Sequence, residues 1–75
     1  MIKIKNLNAA INRAMNALRS KPVKANHAAR EALRVTLRNL NEARLLLNQG
    51  DDCGAYWFAS CAYESLTTAR RAMAA

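Results

Sequence analysis

Between Asn26 and Gln49, apolar residues recur every three or four positions with no breaker: Ala29, Leu33, Leu37, Leu40, Ala43 and Leu47. That spacing is one face of an α-helix. Ala32, Val35 and Leu46 widen the stripe, so this helix can touch two neighbours. Asn26 is a competent N-cap and Gly50 a natural C′ residue, which predicts a helix over 27–49. A second stripe of mostly small residues, Ala55, Ala59, Ala62, Leu66, Ala69 and Met73, predicts a helix over 52–73. Asp51 or Asp52 caps it, with its charge at the positive end of the dipole. A third stripe, Leu7, Ile11, Ala14 with Met15, and Leu18, predicts a helix over 7–19 that starts after Asn6. It ends ahead of Ser20-Lys21-Pro22, because the residue before proline is pushed out of the α region. The alternation Ile2-Lys3-Ile4-Lys5 is strand-like but very short.

The connection Asn48–Asp52 is short, so the second and third helices must be antiparallel neighbours. Folding the chain about Gly50 sets Leu40 opposite Ala62, Leu37 opposite Leu66, Leu33 opposite Ala69 and Ala29 opposite Met73. Large faces small at most levels, which lets two backbones approach closely. The expected fold is all-α: a small three-helix bundle built on a long antiparallel hairpin, with the first helix closing it against the second flank of the middle one.

With 75 residues, the chain is one domain, 1–75. It is 52% hydrophobic and 23% charged, with a mean hydropathy of −0.21, too apolar for a disordered chain. Gly50, Gly54 and Pro22 are its only breakers, which argues against a turn-rich β fold. No apolar run approaches the roughly 18 residues that span a membrane, and the first fifteen residues lack an uninterrupted apolar core of signal-peptide type. The expected location is cytoplasmic, without membrane association. Cys53 and Cys61 are eight positions apart on one helix, about 12 Å along its axis, too far for a disulfide. Both are expected to be reduced, half-buried small apolar residues.

Charge refines this picture. The formal net charge is +7, and it is uneven. Residues 1–40 carry nine cations against Glu31 alone, +8; residues 41–75 carry three against four carboxylates, −1. Such asymmetry points to a polyanionic partner. Arg30, Arg34 and Arg38, four apart, share one ridge of the middle helix. Glu31 can pair with Arg34 and Glu42 with Arg38, the pattern of a salt-bridged solvent face. The same ridge can instead track phosphates, since a guanidinium donates two parallel hydrogen bonds to one. Lys21, Lys24, His27 and Arg30 crowd the start of that helix. Cations there oppose its dipole, and together with free backbone N–H groups they make an anion site.

A third feature is apolar. Tyr56, Trp57 and Phe58 are consecutive, as are Leu45, Leu46 and Leu47. Three successive helical residues span about 200° of arc, so no single core face hides either set. Both lie near the Gly50 turn. Unless the first helix covers them, Leu45, Leu46, Tyr56 and Trp57, extended by Tyr63, form a partner or homodimer interface.

Catalytic and metal chemistry find little here. His27, the one histidine, lacks a nucleophile–base–orienter set, and no catalytic residue is assigned. Two cysteines and one histidine lack zinc spacing and a fourth ligand, so no metal or cofactor is expected. No glycine-rich phosphate loop occurs. A basic alternating segment followed by two helices resembles the ribbon-helix-helix DNA binders, with Lys3 and Lys5 reading bases. The missing interhelix glycine, the long middle helix and the third helix set that resemblance aside. The expectation is a non-enzymatic binding or regulatory protein that docks on nucleic acid or a nucleic-acid-containing complex. The rival is a protein-only adaptor or inhibitor, of the kind found among the accessory proteins of phages and mobile elements, acting through the aromatic–leucine tip.

Overall fold

The computed structural model of the chain describes residues 6–75; the alternation at residues 2–5, with Lys3 and Lys5, lies outside the described residues. Four helices follow in order: α1 (Leu7–Arg19), α2 (Lys21–Lys24), α3 (His27–Asn48) and α4 (Asp52–Ala74). The central element is α3. It packs along its length against α4 and, on a second flank, against the shorter α1. The assembly measures 38 × 18 × 15 Å, the shape of a helical hairpin with a helix laid on one side.

The hairpin is joined by two reciprocal devices. Gly50 has φ +82°, the left-handed conformation that closes α3. The Asp51 amide bonds the Leu46 carbonyl at 2.9 Å and the Gly50 amide that of Leu47 at 3.0 Å, the paired bonds of a Schellman ending. Asp51 then turns to α4, accepting the Gly54 N–H at 2.9 Å, so it rather than Asp52 is the cap. A Cβ at position 54 would meet the Asp51 carboxylate, which would have to shift to admit one.

Packing along the hairpin follows a strict alternation of four and three. On α3 the buried positions are Ala29, Leu33, Thr36, Leu40 and Ala43. On α4 they are Ala55, Ala59, Ala62 and Ala69, with Leu66 half-buried in the same series. Leu40 shares one core cluster with Ala43, Ala59 and Ala62, and Leu33 shares a second with Ala69. Two expected levels differ. Leu37 is only half-buried, because the alternation of four and three selects Thr36. Thr36 is 1% exposed, and its hydroxyl donates to the Ala32 carbonyl at 2.9 Å, which removes the cost of burying it. Met73 is exposed, near the free end of α4, although Ala29 is fully buried.

The first helix contributes Leu7, Ile11 and Ala14 to the larger cluster. Asn6 precedes α1 without making a side-chain cap bond. The break after α1 also differs. Ser20 is the extended residue, with ψ 144°, and Lys21 already begins α2. Pro22 is tolerated because a first-turn residue has no intrahelical acceptor for an N–H. This extra turn buries Val23 against Leu33 and Ala69. Cys61 is half-buried as expected, but Cys53 is exposed, since it lies in the first turn of α4, away from the core face.

Candidate polyanion-binding face

The solvent face of α3 is fixed by its buried face. At about 100° per residue, Arg34 and Arg38 each lie about 160° from Thr36, almost directly away from the core. Both are exposed. Arg30 lies only about 120° away. It is half-buried, and its Nε is inaccessible and without a hydrogen-bond partner. The ridge is therefore inclined: Arg30 sits on the flank, Arg34 and Arg38 on the crest.

Local partners differ along it. Arg34 Nη1 donates to Glu31 Oε1 at 3.1 Å, with both side chains about half exposed. Among the described residues this is the one ion pair. The expected bond between Glu42 and Arg38 is not formed. An Arg30 Nη2 stands 3.4 Å from His27 Nδ1, a long contact.

At the start of α3, Lys21, Lys24 and His27 are all exposed. Of the four N–H groups that precede the helical ladder, two are already engaged. The Asn26 amide bonds the Val23 carbonyl, and the Ala29 amide bonds Asn26 Oδ1 at 3.0 Å. The bonds available to an anion here are thus those of His27 and Ala28, together with the surrounding cations.

One contributor is not apparent from the sequence halves. Arg44 is counted with the near-neutral half, yet it lies on α3, exposed. Its guanidinium bonds Asn8 Oδ1 of α1 at 3.3 Å and Asn41 Oδ1 at 3.2 Å. It ties α1 to α3 on the flank about 120° around the helix from Arg38, so it stands beside the crest and does not continue it. The signal was its place fourteen positions, nearly four turns, after Arg30 on the same helix, on the flank beside α1, which periodicity alone does not mark.

The apolar tip is not one patch. Leu45 lies half a turn from buried Thr36 and is 50% exposed, on the same side of α3 as Arg34 and Arg38. Trp57 lies about 160° from Ala55 and Ala59, on the outward face of α4, and is 67% exposed. These two point away from each other across the hairpin. Tyr56 and Tyr63 are exposed on a third side, the flank of α4 nearest α1. Leu46, Leu47 and Phe58 are half-buried. No helix of the described residues is long and apolar enough to cross a membrane.

No family model, no curated protein and no solved structure matches the chain.

Proposed function

We propose that this chain is a non-enzymatic binding protein that docks on a polyanionic surface, nucleic acid or a protein complex containing it. The observation that carries this reading is the crest of α3. Arg34 and Arg38 project into solvent, and the one carboxylate bonded to either is an exposed Glu31. An exposed pair of that kind contributes only about 0–1 kcal/mol, so a phosphate can displace it. Successive crest positions are about 6 Å apart along the axis. Lys21, Lys24, His27 and Arg30 extend the field at one end.

Recognition of this type is mostly of the phosphate backbone, with the cations positioning the protein rather than reading bases. In this reading the protein works in the cytoplasm, with both cysteines reduced. The test is binding of a labelled duplex, DNA and RNA in parallel, to the wild type and to the Arg34→Glu, Arg38→Glu double variant. The proposal requires strong loss in the variant; equal binding by the two proteins defeats it.

A second reading rests on Trp57. A large indole two-thirds exposed on the outward face of α4 is the kind of residue that anchors protein interfaces. A protein-only adaptor would lose its complex on Trp57→Ala and keep it on reversal of Arg34 and Arg38.

A further inference from the structure

Both α1 and α4 pack on α3, yet they scarcely touch each other. Among the described residues, an open trench lies between them. Two adjoining cavities, about 410 and 440 Å³, share Ala17, Leu33, Leu66 and Arg70 and so form one channel. It runs along α4 from Tyr63 to Met73, about 15 Å or nearly three helical turns. That length suits an elongated occupant better than a compact one.

The floor is apolar, built on Leu33, Leu40 and Leu66. Thr36 also reaches it, but its hydroxyl proton is engaged by the Ala32 carbonyl. The charged groups stand on the two rims: Arg13 on α1 and Arg70 on α4, both exposed. Among the described residues no carboxylate lines either cavity. An occupant must therefore be apolar on one side and anionic along both flanks. A second copy does not meet this description. Its α3 crest is cationic, and the outward face of its α4 carries Glu64 and Arg71 beside Trp57.

We infer that the trench receives one amphipathic α-helix of a partner protein, with an apolar stripe and glutamate- or aspartate-lined flanks. Such a helix inserts its stripe between α1 and α4, completes a four-helix arrangement over α3, and pairs its carboxylates with Arg13 and Arg70. Apolar burial supplies the attraction and the two arginines supply the discrimination. The site is on a different side of the molecule from the α3 crest, so the two can be tested separately.

The probe is a labelled peptide of about 18 residues, with leucines at i, i+3, i+4 and i+7, glutamates on the two flanks of that stripe and alanines elsewhere to limit repulsion between glutamates. Its comparator has lysine at every glutamate. Fluorescence anisotropy is expected to show saturable binding of the acidic peptide and about tenfold or weaker binding of the basic one. In the Arg13→Glu, Arg70→Glu variant, both substitutions being at exposed positions, the preference should invert. Amide and methyl shifts should move at Ala17, Leu33 and Leu66. The inference is overturned if the two peptides bind equally, if the preference does not invert, or if the shifts fall on Arg34 and Arg38. Occupation of the trench by dodecanoate but not by peptide overturns it too, as does a dimer in sedimentation that buries these residues.

Discussion

The side-chain amide of Asn26 is bonded at both ends: Oδ1 accepts the Ala29 N–H at 3.0 Å, and Nδ2 donates to the Ala72 carbonyl at 3.1 Å. One residue thus caps the start of α3 and holds the end of α4, 46 positions later in the chain. Asparagine alone among good caps carries both an acceptor and a donor on one planar group. Asn26→Ala removes both bonds and should cost about 1–2 kcal/mol. For a domain this size each kcal/mol lowers Tm by about 4–8 °C. Asn26→Asp keeps the cap and loses the donor, so its midpoint should fall between those of the wild type and the alanine variant. Thermal unfolding of the three proteins checks that order.

The alanines of α4 set how closely the hairpin packs. Ala62 has no exposed surface and shares a cluster with Leu40. Ala62→Leu should overpack this level and cost about 1–3 kcal/mol. The matched substitution Ser60→Leu, at an exposed position of the same helix, should stay within about 0.5 kcal/mol. Urea titration distinguishes them, and similar midpoints would mean the interface is looser than described.

Most of the fold is legible in the sequence because both long helices keep their apolar positions in step over several turns. Leu33, Leu40, Ala59, Ala62 and Ala69 are fixed by that repetition, and Gly50 by the lack of any other residue able to end α3 there. Thr36 is not legible as core, since a hydroxyl reads as polar until its bond to Ala32 is seen. Neither is α2: four residues are too few to show a period, and Pro22 reads as a stop although it opens a turn. On the candidate surfaces, the exposure of Arg34 and Arg38 follows from the helix face. That the tip carries apolar surface on more than one side follows from three consecutive apolar residues on each helix; which side Leu45 and Trp57 each take does not, because it depends on which face of each helix its neighbour occupies.

Thr36 itself offers a test of that reading. Its hydroxyl bonds a carbonyl that already serves the helix, so Thr36→Val exchanges a weak bond for a buried methyl of the same shape. The variant should be as stable as the wild type or up to about 1 kcal/mol more so. A loss greater than that would show that the hydroxyl has a further structural role.

Trp57 should behave as a surface residue in the free protein. Its fluorescence should be red-shifted and open to quenching by acrylamide, and Trp57→Ala should change stability by no more than about 0.5 kcal/mol, consistent with its 67% exposure. A blue-shifted, protected indole at micromolar concentration would indicate self-association through α4.

The central claim is that the α3 crest contacts phosphates, and its most direct test is the salt dependence of duplex binding. For the wild type, the logarithm of affinity should fall linearly with the logarithm of salt, with a slope of about −0.9 for each phosphate neutralised. Replacing Arg38, which has no ion-pair partner among the described residues, by alanine should weaken binding evenly across sequences and reduce that slope by about 1. A wild-type slope near zero, or an unchanged slope in Arg38→Ala, would contradict the assignment of this face to a polyanion.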